Sequence, residues 1–475
     1  LSEEVTVIGQ APIIDLKDSQ TVTTNFKKEF LQKMPNRGVG AAMSMTPGVS
    51  NQSSFGSAQS NSNNYLVMGV KVNDPEGGES GMSLRHDSIE EISVMGVAAP
   101  AEYGGFAGAI VNSVMKSGGN DFHGMATFYM THPSIRFENW EEYGEDFAER
   151  ARWWPDESYD ANFNLGGPIS RDKLWFFASG SWGYGQQKQP DYEGPTEGWR
   201  PWRVAGKLTW QPSRNDRLSA WMSFDKDKII NYGFDPETMS AECNTNENHR
   251  NILFNAHYLH TFSDKTFLEA KVGGFRNLAN NDVDRDNDPS PRFDVEDDML
   301  YGSYLYTYYR NALRIQTNIT LSHHAEDFIK GDHDFKIGAE IEYSKVTISY
   351  YYAGDKYYTS YYGGANGYYI QWDGYAGIGK MTTISGFVQD SWEVSDRLVI
   401  NPGLRINHWR GRVPGISGAA FAPKMGIAPR IGITYDLFGD NSTAIKAHYG
   451  KYYHGLFTQQ FFRLDPTYDS ERNIW

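Results

Sequence analysis

Residues 397–409, RLVINPGLRINHW, place Leu398, Ile400, Leu404 and Ile406 on one parity and Arg397, Asn401, Arg405 and Asn407 on the other. A period of two puts these sets on opposite faces of a β-strand. Aliphatics backed by arginine and asparagine suit a sheet that stands between two different solvents. The next such stretch, 428–437, alternates Ile431, Ile433, Tyr435 and Leu437 with Arg430, Gly432, Thr434 and Asp436. Working outward, strands of the same grammar are expected at 124–131, 159–169, 173–185, 202–211, 217–226, 250–262, 266–276, 304–325, 333–350, 382–393 and 443–453. That makes about thirteen strands, most near the roughly ten residues that a tilted membrane-spanning strand requires.

The connections alternate long and short: 132–158 then 170–172, 186–201 then 212–216, 227–249 then 263–265, 277–303 then 326–332, 351–381 then 394–396, and 410–427 then 438–442. Outer-membrane barrels have this asymmetry, with tight periplasmic turns and long outer loops. A β-propeller or sandwich, the soluble alternative, has no reason to keep it. Rings at strand ends (Trp175, Trp202, Trp210, Trp392, Trp409, Phe438) suit two interfacial girdles.

Composition agrees. The 475 residues carry 44 Lys and Arg against 59 Asp and Glu, a net charge of -15 that argues against nucleic acid as the main partner. Aromatics at 15% argue against disorder. A mean hydropathy of -0.58, with no long apolar run, excludes spanning helices but not spanning strands. One cysteine, Cys243, cannot form an internal disulfide. Leu1 is not an initiator Met, and Glu3 and Glu4 stand where a signal peptide would be basic, so the chain reads as a processed or partial product.

Residues 1–123 have a different grammar. Phe26, Phe30 and Leu31 have helical spacing, which predicts a helix over Phe26–Met34 stopped by Pro35. Strands are expected at Tyr65–Val72, Ile89–Val97 and Ala109–Met115. The polar run Ser50–Asn64 reads as a loop that is costly to bury unless its groups are paired.

Several phrases here resemble the TonB-dependent outer-membrane receptors, and among them the Oar-like branch. LVMGVKVNDP (66–75) is similar to the plug phrase that ends in Asn-Asp-Pro; MTPGV (45–49) is similar to an early plug turn. SIEEISV (88–94) and AEYGGFAGAIVNSVMKSGG (101–119) resemble the closing plug strands, NDFHG (120–124) the lead into the barrel, and GFVQDSWEVSDRLVINPGLR (386–405) a barrel hairpin. The resemblance implies an all-β antiparallel transmembrane barrel with an N-terminal α+β plug domain in its lumen: residues 1–10 as TonB box and arm, 11–123 as plug, 124–475 as barrel. It implies that Glu4, Val5, Thr6, Val7 and Ile8 pair as a strand with TonB of the inner-membrane energy complex. An ordinary first strand or a free arm is the other reading of those five residues. A barrel of twenty-two strands is implied, and an even count puts both ends on the periplasmic side. About thirteen strands are therefore an incomplete set, with about nine more expected beyond Trp475. Many family members carry an Arg-Gly-Pro after the SIE strand where this chain has Met95, Gly96 and Val97, so that arginine's role does not carry over.

In the loops, Tyr361, Tyr362, Tyr368, Tyr369 and Trp372 lie in a tyrosine-dense stretch and are candidates for contact with an extracellular ligand, whether peptide, protein or glycan. Packing of loop on loop is the alternative. Asp282, Asp284, Asp286 and Asp288 alternate at a spacing at which carboxylates can converge on calcium. The stretch lacks the glycine and glutamate of an EF-hand, and a solvated acidic loop is the competing reading. No resident cofactor is expected, and no G-x-S-x-G, H-E-x-x-H or P-loop is present. The expected function is a Gram-negative outer-membrane receptor, surrounded by lipid, that captures a ligand and moves it with TonB-transmitted energy rather than an enzyme. A surface adhesion or assembly scaffold is the alternative, and a β-rich glycosidase with paired acids is a more distant one.

Overall fold

The computed structural model describes residues 23–34, 38–50, 53–55, 57, 60–81, 84, 86–96, 98–135, 154–188, 197–283, 288–361, 366–372, 374–438, 443–464 and 471–474. The N-terminal part holds a five-stranded sheet of β1 (Thr23–Lys27), β2 (Asn64–Val67), β3 (Val70–Lys71), β4 (Ile89–Met95) and β5 (Ile110–Met115), in the order β1-β4-β5-β2-β3. Strands β2 and β5 are parallel, and the other neighbours are antiparallel. Helices α1 (Lys28–Leu31) and α2 (Val39–Ser44) cover it.

The helix expected over Phe26–Met34 shrinks to α1. Thr23–Lys27 is instead a strand, with Phe26 opposite Ile92. Pairing with β4 satisfies one edge of its backbone, and Phe26 and Leu31 both reach the core from the strand and the short helix. The single strand expected at Tyr65–Val72 is a tight hairpin, because Met68 (φ 51°) and Gly69 (φ 80°) adopt the left-handed conformations of a two-residue turn. The polar run 50–64 ends buried and paired: Asn63 accepts from the Ala109 amide through Oδ1 at 2.8 Å.

The second sheet has fourteen strands, the two-residue Gly198–Trp199 and thirteen longer ones in meander order. These are β6 (His123–Thr131), β7 (Trp154–Ser170), β8 (Leu174–Lys188), β9 (Trp202–Trp210), β10 (Asp216–Ile230), β11 (Glu247–Ser263), β12 (Thr266–Asn281), β13 (Thr307–Ala325), β14 (Asp332–Tyr351), β15 (Tyr375–Ser395), β16 (Leu398–Arg412), β17 (Gly426–Asp436) and β18 (Ala444–Gly450). Each pairs antiparallel with the next, and β6 and β18 form the two edges. Several strands outrun their sequence patterns on the loop side, β15 by beginning at Tyr375 rather than Thr382. Cross-strand pairing satisfies the amides in water as well as in lipid, so a hairpin need not stop where its apolar parity stops.

The two parities face as different solvents demand. Ile384, Val388, Ile406 and Ile427 are exposed on the outer wall, whereas Arg405, Asn407 and Arg430 are buried inside. The plug core of Leu31, Met43, Ile92 and Val111 is completed by Trp221, Leu253 and Phe275 of the wall. At Gly273 of β12 the plug comes so close that a Cβ would lie 3.0 Å from Val70. Phe275→Ala removes a ring that is 1% exposed and should cost about 3–5 kcal/mol. Faster hydrogen exchange at Tyr65–Lys71 with an intact barrel is the expected result; unchanged exchange would show that the wall does not complete the plug core.

Candidate functional site

The site is the seat of the plug against the wall and the outer mouth above it. Asn73, fully buried, ties down the plug's apex loop: its Oδ1 accepts from the Tyr65 amide at 2.9 Å, and its Nδ2 donates to the carbonyls of Asn63 and Gly78 at 2.7 Å. Asp74 accepts from the Glu76 amide at 2.8 Å, which turns both carboxylates toward β13. There Arg310 donates through Nε to Glu76 at 2.6 Å, through Nη2 to both oxygens of Asp74, and through Nη1 to Asn277 at 2.5 Å. A guanidinium fork shared between two carboxylates is a directional contact that a lysine cannot reproduce.

The stretch after β18 closes over this loop. The amides of Thr458 and Gln459 donate to the carbonyls of Pro75 (2.9 Å) and Glu76 (3.3 Å). A Cβ on Gly78, which has φ +87°, would meet the Phe457 ring at 2.1 Å. Phe457, Thr458 and Phe461 are buried. Nothing in the alternation of apolar residues marks this inward turn.

Deeper in the lumen, Glu102 accepts from Lys336 at 3.0 Å and from Gln389 at 3.2 Å, while its amide donates to Gln389 at 2.9 Å. Arg405 reaches the Glu102 carbonyl at 3.0 Å and lies 3.3 Å from Glu340. Arg430 donates to the carbonyls of Ala99 (3.0 Å), Pro100 and Tyr103 (2.8 Å). The cations that grip 98–103 thus come from the wall, in the region where the plug lacks the Arg-Gly-Pro. Lys71 stands 3.6 Å from Glu342, which also faces Arg314 at 3.5 Å. Burial lowers the Lys71 ammonium below its ordinary range, partly opposed by Glu342, and burial raises the Tyr103 hydroxyl.

Of the residues expected from sequence, Glu4, Val5, Thr6, Val7 and Ile8 lie outside the described residues. Tyr361, Tyr368, Tyr369 and Trp372 sit on a hairpin of Lys356–Tyr361 and Asn366–Trp372, and Tyr362 lies outside the described residues. The hairpin belongs to a five-stranded outer sheet with Arg292–Asp294, Met299–Tyr301 and Glu471–Ile474. A second ring cluster has no counterpart among the expected residues: Tyr306 lies edge-on to Tyr350 at 5.2 Å and to Tyr304 at 5.6 Å, with Tyr308 5.0 Å from Tyr350. The shared parity of Tyr304, Tyr306 and Tyr308 is the signal that would have found it. Burial raises the Tyr304 hydroxyl.

Asp282 accepts from Asn246 at 2.9 Å and Asn248 at 2.7 Å, so neighbouring amides occupy both its oxygens. Asp284 and Asp286 are outside the described residues and Asp288 is within them. Among the described residues no three metal-binding side chains converge.

Comparison with known proteins adds the following. The profile "TonB dependent receptor-like, beta-barrel" matches residues 180–473. The TonB-dependent transporter Oar of Myxococcus xanthus is 30% identical over 198 residues, 38% of this chain and 18% of that protein. The probable TonB-dependent siderophore receptor PirA of Acinetobacter baumannii is 28% identical over 190 residues, 38% of this chain and 23% of that protein. The outer membrane transporter YddB from Escherichia coli superposes with a TM-score of 0.72 at 14% identity, over 92% of this chain and 62% of that one. The unliganded ferric citrate transporter FecA gives 0.66 at 12% identity, over 94% and 64%. The chain therefore matches about a fifth of the length of the curated relatives and under two thirds of these structures.

Arg310→Ala leaves the partly exposed Asp74 and Glu76 without their counter-charge, a loss of about 1.5–3 kcal/mol locally. Hydrogen exchange across 73–81 should rise sharply, and Arg310→Lys should restore it only in part. Equal protection in all three proteins would mean that the fork does not hold the apex.

Proposed function

The chain belongs to the TonB dependent receptor-like, beta-barrel family, and from that premise we propose that it is a Gram-negative outer-membrane receptor that captures a ligand with its outer loops and moves it with energy delivered through TonB. The observation that carries the reading is the manner in which the plug is held. Arg310, Lys336, Arg405 and Arg430 grip it through ion pairs and carbonyl contacts, which can be left and retaken without disturbing the barrel ladder.

In this reading residues 1–10 are the arm, with Glu4–Ile8 as the TonB-binding strand, 11–123 the plug and 124–475 the barrel. The described plug begins with β1, an edge strand held by β4 alone. A pull on the arm arrives there first, where pairs are lost one at a time rather than all together. Strand β4 leads into 98–103, the segment gripped by Arg405 and Arg430, so the same pull reaches the seat. Tyrosines of the hairpin, and the Tyr304–Tyr306–Tyr308–Tyr350 cluster, are the residue type that gives amphipathic contact area to a peptide, protein or glycan. The siderophore and ferric citrate in the names of two similar proteins add iron chelates to the classes to screen. Calcium at the acidic loop would be weak at most, since Asp282 is already satisfied.

Deleting Leu1–Gln10 should abolish uptake by intact cells while ligand binding and surface abundance persist. Undiminished uptake at normal abundance would remove the transport reading and leave the adhesion or assembly scaffold. Replacing Tyr361, Tyr362, Tyr368, Tyr369 and Trp372 with Ser should weaken ligand binding by about 1 kcal/mol or more per engaged ring. Unaltered binding by a folded variant would reduce the hairpin to loop packing.

A further inference from the structure

A cationic patch stands on the outside of the barrel, on the wall that faces lipid. Lys345 of β14 is directly opposite Lys380 of β15, which is directly opposite Arg412 of β16. One step toward the periplasmic turns, Tyr343, Thr382 and Arg410 form the next row, and Ile341, Ile384 and His408 the row after it. All are on the outward parity: Ile341 and Ile384 are 54% and 50% exposed, whereas Ser344, Ser385 and Asn407 on the other parity are buried. Thr382, Ile384, His408, Arg410, Arg412 and Lys380 line one shallow concavity.

Like charges directly opposite one another destabilise a bare sheet. Among the described residues none of Lys345, Lys380, Arg410 and Arg412 has a carboxylate partner. The level of the row is informative. At the inner end of the same wall His333 stacks between Phe335 and Trp392, an interfacial girdle. From Phe335 to Lys345 the strand climbs about 34 Å, or about 26 Å after a tilt of about 40°, which matches the roughly 25 Å apolar band. The cations therefore stand where the hydrocarbon ends and the outer head groups begin. With strands about 4.8 Å apart, the row is about 10 Å wide, broader than one phosphate.

We propose that this patch binds an outer-leaflet lipid whose head group carries two phosphates about 10 Å apart, as a bisphosphorylated disaccharide does, with charge complementarity as the ground. The phosphates lie against Lys345, Lys380, Arg410 and Arg412, with the hydroxyls of Tyr343 and Thr382 as further donors. The acyl chains run down over Ile341, Ile384 and Ile406. Such a lipid cancels the repulsion within the row and holds β14–β16, the wall that carries Glu340 and Arg405, in place around the plug.

The test uses the full chain purified in neutral detergent and titrated with a bisphosphorylated disaccharide lipid, its monophosphorylated form, and phosphatidylglycerol, with bound lipid counted by native mass spectrometry. The wild type should prefer the bisphosphorylated lipid. The combined change Lys345→Gln, Lys380→Gln, Arg410→Gln and Arg412→Gln should weaken that binding by at least about tenfold, and Arg214→Gln with Lys265→Gln, at the periplasmic turns, should not. Equal binding by the patch variant, or equal affinity of the wild type for phosphatidylglycerol, overturns the proposal. Titration of the wild type at raised salt gives an answer independent of any variant's folding, since binding that ignores salt would also overturn it. No readout involves uptake, so failure here leaves the transport reading standing.

Discussion

An amide group in hydrocarbon has no water to turn to, and each one left unpaired costs several kcal/mol. That constraint sets the ladder from β6 to β18, in which every strand pairs with its sequence neighbours. Once the ladder is obligatory, each residue has only two places to point. The outward set becomes the apolar belt of Ile337, Ile384 and Ile427, and the inward set becomes the polar lining of Arg310, Arg405 and Arg430. The barrel is therefore a protein with its usual partition reversed, and its buried charges need something in the lumen to face.

The plug is what they face. It is held in two ways on two sides. Toward β10–β12 its own core continues into Trp221, Leu253 and Phe275, a largely apolar contact beside the hydrogen bond from Asn255 to the Val67 carbonyl. Toward β13–β17 it is fastened by forks and pairs that demand exact placement, with Arg310 on the apex and Lys336, Arg405 and Arg430 on 98–103. Buried ion pairs add little net stability because desolvation opposes them, but they fix position.

At the outer end, water again satisfies the backbone, and strands continue beyond the belt. Loops that read as irregular join into a second sheet, and the stretch after β18 folds inward so that Thr458 bonds to Pro75 across 383 residues of sequence. The mouth above the plug apex is thus built from several hairpins and the plug together, and Tyr306, Tyr308 and Tyr350 cluster at the loop-side ends of β13 and β14.

The strand count, the barrel and the inward place of Arg405 were legible in the sequence because a membrane forces side chains into a strict period of two, and period is a local property. Phe26 was misread because three apolar residues at helical spacing suit a strand leading into a single helical turn equally well; only the partner, Ile92, distinguishes them. Which carboxylate Arg310 would meet, where 455–464 would turn, and that Lys345, Lys380 and Arg412 would fall side by side depend on register between strands distant in sequence. The sequence by itself determined which face each residue takes, since that follows from the chain's own pleat. Its neighbours across the sheet and across the lumen were decided by the tertiary structure alone, since they follow from how separate stretches of chain are brought together.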